Sequence, residues 1–169
     1  MPRIDVTRTY LELRAPEDLV AEASAPEQVR LERVESCPPS FFRFLYSEVG
    51  RQHHWRDRLP WTDEQIRAHL AGPIDLWVPY VRAVPAGYFE LARHDDGSVE
   101  IAYFGLLPEF VGRGLGKYLL TRAVEEAWAL HPNRVWLHTC TLDHPSALPN
   151  YLKRGFQPVR TEVYQTEIP

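Results

Sequence analysis

Pro108-Glu109-Phe110-Val111-Gly112-Arg113-Gly114-Leu115-Gly116-Lys117 is the stretch on which the reading of this chain turns. Three alternating glycines separate a strand-like run, 98–106 (SVEIAYFGL), from the clearest helical pattern in the sequence. In that pattern Leu115, Leu119, Leu120, Ala123, Val124, Ala127 and Trp128 make one apolar stripe, while Arg122, Glu125 and Glu126 face the other way. Glycine removes the Cβ that would hold an oxyanion off the backbone. A helix start leaves N–H groups without intrahelical partners and concentrates partial positive charge there. Together these features make a site for a pyrophosphate, with Arg113 and Lys117 adding charge at its edge.

Two common glycine motifs do not fit. A Walker A loop needs Ser or Thr after Gly-Lys and a Gly five places before that Gly, but Tyr118 and Val111 stand there. The dinucleotide fingerprint needs G-x-G-x-x-G after a first parallel strand. Here the spacing is Gly112-x-Gly114-x-Gly116, late in a chain whose preceding strands read as antiparallel.

Outward from the turn, 75–84 and 87–93 read as strands joined by a tight turn at Pro85-Ala86-Gly87. Asp95-Asp96-Gly97 supplies a second turn, giving an antiparallel meander. Residues 6–13 and the stretch from Val29 to Val34 read as two further strands. Residues 40–49 read as a helix with Ser40 as N-cap, and Thr62 with Gln65 reads as a capping box opening a short helix to Leu70. After the long helix, which His131-Pro132-Asn133 ends, come a strand at 134–141, a helix closed by Gly155 and one or two final strands. The order is ββ-αα-βββ-α-β-α-β.

With 169 residues, 44% hydrophobic and 25% charged, the chain fits one α/β domain of α+β type over 1–169. No uncharged apolar run reaches the roughly 18 residues of a membrane span. Charges interrupt the N-terminal apolar stretches, so no secretory signal is read. Cys37 and Cys140, far apart and the only two, fit a reduced, cytoplasmic protein. The net charge of −4 argues against a general nucleic-acid binder. His53-His54 and His94-Asp95-Asp96 lack metal-site spacing and read as exposed loop residues, so no metal is expected. His138 and Cys140 read as a satisfied histidine and a buried thiol.

A strand, a Pro, a short turn, R/Q-x-x-G-x-G/A and a long helix form the acetyl-CoA motif of the GNAT superfamily of N-acetyltransferases, and residues 98–120 resemble it closely. Val111 departs from the usual Arg or Gln at the motif's first position. Residues 143–156 (DHPSALPNYLKRGF) resemble the family's second signature, with Ala147, Tyr151, Gly155 and Phe156 in register and His144 where Asn is common. The resemblance covers roughly 75–165 well and the first 70 residues only by element order. It implies a mixed central sheet of six or seven strands flanked by about four helices. Acceptor-side helices would lie at about 40–71 and a CoA-binding core at about 98–156.

By the same resemblance, acetyl-CoA is the co-substrate. It is held by Phe104, Gly105, Leu106, Val111, Gly112, Arg113, Gly114, Leu115, Gly116, Lys117 and His144. Backbone N–H groups at Phe104, Gly105 and Leu106 face the tetrahedral intermediate, and Gly105 marks a bulge or a close ligand approach. Tyr151 matches the tyrosine that protonates the leaving thiolate. Glu100 matches the strand glutamate that serves as base in the histone-acetyltransferase branch, with Glu90, Glu109 or a water relay as alternatives. Phe41, Phe42, Tyr46, Trp55, Trp61 and the charges of 51–58 are candidate acceptor contacts. The leading expectation is transfer to a small-molecule amine by direct attack, in a monomer or homodimer. The alternatives are a peptide or protein acetyltransferase and a non-catalytic acyl-CoA-binding module.

Overall fold

The computed structural model describes residues 1–168. In chain order it contains β1 (Arg3–Leu13), β2 (Val29–Val34), α1 (Pro39–Gly50), α2 (Asp63–Leu70), β3 (Ile74–Val81), β4 (Val84–Pro85), β5 (Gly87–Arg93) and β6 (Val99–Leu106). These are followed by α3 (Leu115–Trp128), β7 (Val135–Cys140), α4 (Ala147–Lys153) and β8 (Gln157–Glu167). The strands form one sheet in the order β2-β3-β5-β6-β7-β1-β8, with the two-residue β4 paired to β3. Every pairing is antiparallel except β6 with β7, which is parallel. The architecture is the mixed α/β sheet with four helices that the resemblance implies, with eight strands, the two-residue β4 included, where six or seven were expected.

Strand alternation divides the interior between the two faces of the sheet. Phe89 and Leu91 of β5 join a cluster with Leu119, Leu120, Ala123 and Val124 of α3 and Tyr151 of α4. Tyr88, one residue out of phase, joins Leu45 and Val49 of α1 with Leu76 and Val78 of β3. The apolar stripe of α3 is the buried one. Its Leu119, Leu120, Ala123, Val124 and Ala127 are all at most 2% exposed.

Several local readings hold in detail. Thr62 accepts from Gln65 N–H at 3.2 Å while the Gln65 side chain accepts from Thr62 N–H at 2.8 Å, so both halves of the capping box are made. Gly155, at φ 100°, closes α4 in the left-handed region that favours glycine.

Three readings are corrected. The N-cap of α1 is Pro38, and Ser40 lies inside the helix. Pro39 at the first helical position has no N–H to satisfy, so the helix starts without a side-chain cap. The chain reverses after β3 at Arg82-Ala83, both left-handed (φ 51° and 66°), rather than at Pro85-Ala86-Gly87. Ala86 instead interrupts β3's partner, donating its N–H to Pro79 O at 2.8 Å between the β4 and β5 pairings. Finally, the irregularity in β6 falls at Ala102, not at Gly105. Glu90 pairs with Tyr103 and Leu91 with Ile101, leaving Ala102 unpaired.

Candidate functional site

β6 and β7 pair only at Val99↔Val135 and Glu100↔Trp136. The extra residue Ala102 follows at once, and a bulge increases local twist and bends the strand that carries it. Beyond it the two strands diverge, and Phe104, Gly105 and Leu106 line the resulting wedge. Gly105 has a steric reason to be glycine. A Cβ there would lie 2.6 Å from Val49 Cγ1 and 3.0 Å from His53 Nε2, so the end of α1 crosses directly against its backbone.

Two cavities meet at the wedge. The larger, about 610 Å³, has Tyr46, Trp55, Glu100, Tyr103 and His138 among its walls. The smaller, about 330 Å³, is bounded by Gly112, Gly114, Gly116, Lys117 and Asn150. His53, Phe104 and Tyr151 line both.

Most of the sequence-derived cofactor residues gather at the smaller cavity: Phe104, Gly105, Leu106, Val111, Gly112, Gly114, Gly116, Lys117 and His144. Leu115 and Arg113 do not. Leu115 belongs to the core stripe of α3 and is 3% exposed. The Arg113 side chain turns away to pair with Glu27 and to cover the Phe110 ring at 4.9 Å. Lys117 lies 3.5 Å from Glu22, so both cations of the turn already have carboxylate neighbours.

The helix start keeps its donors free. Gly114 caps α3 in the left-handed region (φ 78°) and no side chain caps the first turn. Gly112 is also left-handed (φ 79°), and a Cβ built there meets nothing within 4 Å. Arg154, on the same cavity's wall, buries Nε and Nη1 without a hydrogen-bond partner. Lys153 stands beside it. Uncapped amides and open space over glycine, with the positive charges of Lys153 and Arg154 on the same wall, suit an anionic, phosphate-bearing ligand. Gly112→Ala is therefore expected to cost only about 1–2 kcal/mol of stability, the penalty of a left-handed L-residue. It should weaken binding of a phosphate-bearing ligand at least about tenfold by placing a methyl over the turn. Thermal unfolding and calorimetry on the same sample read the two effects separately.

Tyr151 is 6% exposed, and Phe104 meets its ring edge-on at 6.2 Å. Burial, with the Asp143 carboxylate adding to it, pushes its phenol well above the ordinary tyrosine range. It stays protonated at neutral pH and can donate. Glu100 lines only the larger cavity, where it takes a 2.9 Å hydrogen bond from His94 and lies 3.8 Å from His138. Glu90 is fully buried and engaged by Arg58 (2.6 and 2.9 Å) and His69 (2.7 Å). Glu109 is exposed and lies on neither cavity.

Of the candidate acceptor contacts, Tyr46, Trp55, Arg56, Asp57 and Arg58 line the larger cavity. Phe42 and Trp61 stack on each other at 6.3 Å, behind Arg58. Phe41 stacks on Phe44. Two expectations are corrected here. His53 is not an exposed loop residue: its side chain is 10% exposed and pairs with Asp143. His138 is exposed and Cys140 half-buried, both on the wall of the larger cavity. No local pattern announces the Arg58–Glu90–His69 cluster, in which Glu90 lies 32 residues from Arg58 and 21 from His69.

A splayed mixed sheet, an uncapped helix mouth and two cavities joined at the splay define an α/β protein with adjoining cavities at one break in its sheet. The family model described as "Acetyltransferase (GNAT) family" matches residues 35–156, more than half of the chain, and the chain belongs to that family. A GCN5-related N-acetyltransferase from Kribbella flavida is 20% identical with a TM-score of 0.67, over 96% of this chain and 58% of that one. One from Sphaerobacter thermophilus is 17% identical with a TM-score of 0.66, over 98% and 52%. A tandem GNAT protein from the clavulanic acid biosynthesis pathway is 17% identical with a TM-score of 0.59, over 96% and 53%. These likenesses concern the fold, and this chain spans little more than half the length of each of the three. No curated protein sequence matches it. No helix among the described residues is long and apolar enough to cross a membrane.

Proposed function

We propose that the chain transfers an acetyl group from acetyl-CoA to the amine of a small molecule, by direct attack in a ternary complex. The observation that carries this reading is the meeting of the two cavities at the β6/β7 wedge, where Phe104, Tyr151 and His53 border both. In this reading the diphosphate lies on the α3 amides, with Arg154 and Lys153 at its side, and the thioester reaches into the wedge. There, N–H groups near Phe104, Gly105 and Leu106 face the oxyanion. The amine enters through the larger cavity. As it attacks, the C–N bond forms, the C–S bond breaks with its electron pair moving to sulfur, and Tyr151 gives the sulfur a proton. Glu100 borders only the larger cavity, where an incoming ammonium can shed its extra proton towards it through water. The aromatic wall of Tyr46, Trp55 and Tyr103 favours a small acceptor over an extended peptide. The protein acts in solution without a membrane or nucleic-acid partner.

Two measurements test this. Calorimetry should detect acetyl-CoA binding, and thiol release should follow addition of a primary amine such as phenethylamine or spermidine. No association with CoA or acetyl-CoA would end the proposal. Tyr151→Phe should lower turnover by about tenfold or more, as loss of a general acid does, with acetyl-CoA affinity kept.

A further inference from the structure

Direct attack needs a neutral amine, and Glu100 is poorly placed to neutralise it at the thioester. It precedes Gly105 by five residues, roughly 16 Å of extended strand, and it does not border the cofactor cavity. His53 is at the junction itself. We propose that His53, oriented by Asp143, is the base that takes the proton from the attacking amine. This rests on the acetyl-transfer reading above.

The geometry follows from where α1 ends. The chain turns beyond Gly50, with His53 N–H bonded to Gly50 O at 3.0 Å, and lays the imidazole on Trp55 with centroids 5.0 Å apart at 25°. Nδ1 lies 3.5 Å from Asp143 Oδ1, and the His144 N–H approaches the same nitrogen at 3.5 Å. Asp143 is fixed in turn, since its other oxygen accepts from Thr139 Oγ1 and from Cys140 N–H. Burial works against this carboxylate's ionisation, but hydrogen bonds from His53, Thr139 and Cys140 outweigh it and hold its pKa below the ordinary aspartate value. With the proton on Nδ1, towards the ionised Asp143, the lone pair is on Nε2; this tautomer gives up the long 3.5 Å bond that the His144 N–H donates to Nδ1. Among the described residues Nε2 has no hydrogen-bond partner. It faces the Gly105 backbone, 3.0 Å from where a Cβ would be. Tyr151 is the other titratable side chain that borders both cavities. A proton acceptor and a proton donor therefore flank the wedge from different elements, the α1 turn and α4.

The step balances. For R–NH2 and acetyl-CoA, His53 Nε2 takes one N–H proton as the C–N bond forms. The C–S electron pair goes to sulfur, which takes the Tyr151 proton. Water returns the proton from His53 to the Tyr151 phenolate, leaving the amide and the free thiol. An amine arriving as ammonium releases one further proton to solvent.

The test compares wild type with His53→Gln and His53→Ala, using acetyl-CoA with phenethylamine or spermidine. His53→Gln should lower kcat/KM about a hundredfold or more, within the span of general-base contributions. It should also remove the imidazole limb from the pH–rate profile and leave acetyl-CoA affinity by calorimetry unchanged. His53→Ala should regain rate on addition of free imidazole. Asp143→Asn should displace the limb rather than abolish it. If wild type transfers acetyl groups and His53→Gln keeps its rate and its profile, the His53 assignment is overturned while the function stands. If wild type binds acetyl-CoA but transfers to none of the amines, the function reading itself fails.

Discussion

Arg58→Ala is expected to destabilise the fold by about 3–5 kcal/mol, the usual result of stripping one partner from a buried ion pair. Glu90 would keep a carboxylate at 0% exposure with only His69 left to face it. In the intact protein burial pushes this carboxyl upward, but hydrogen bonds from His69 and Arg58 outweigh it and hold its pKa below 4.5. A depressed carboxylate contributes stability that is complete above the unfolded-state value and is lost as pH falls through the folded one. The wild type should therefore lose this contribution on acidification below about 4.5. The Arg58→Ala penalty should shrink there, because protonation relieves the stranded charge. Urea unfolding at pH 7 and near pH 4 reads both effects. Equal penalties at the two pH values would contradict the role given to Glu90. Arg58 also lies 4.0 Å over the Tyr103 ring, and its N–H reaches Tyr46 Oη at 3.2 Å, so it anchors the 51–61 loop that carries Trp55 and His53.

Gly155→Ala is the second large effect, expected at about 2–5 kcal/mol from left-handed strain together with a hard overlap. The added Cβ would lie 2.1 Å from the Asp18 carbonyl oxygen, a backbone atom that cannot swing aside. Val20 N–H donates to Arg154 O at 2.9 Å just beside it, so the 14–28 connection would lift from α4. Gly116 is the control: a Cβ there meets nothing closer than 3.8 Å, and Gly116→Ala should leave the unfolding midpoint nearly unchanged. A midpoint for Gly155→Ala equal to that of Gly116→Ala would refute the overlap argument.

The features legible in the sequence are those whose causes are local. The glycines of 112–116 and Gly155 act through their own backbones and the Thr62–Gln65 box through side chains three residues apart, and each occupies its expected place. The reversal at Arg82-Ala83 escaped because neither residue type advertises a left-handed conformation. Pro85 and Gly87 advertise a turn but serve a strand interruption. Gly87 is required instead by the opposing strand, since a Cβ there would lie 2.3 Å from Gly105 O. The least legible features are convergences. His53 and Asp143 meet across 90 residues, and Glu90 gathers Arg58 and His69 from a loop and a helix. Periodicity reports which face of an element is buried, but not which distant charge will be buried beside it.

Among the described residues, the two rungs at Val99 and Glu100 are the only ladder pairs between the block β2-β3-β5-β6 and the block β7-β1-β8, and bonds from Val99 N–H to Arg134 O and from Asn133 N–H to Gly97 O extend them away from the wedge. On the wedge side, packed side chains keep the halves in step. A molecule that spans the gap would act as a cross-brace, stiffening backbone it never touches. Tightening would then be felt as far out as the sheet's two outermost strands.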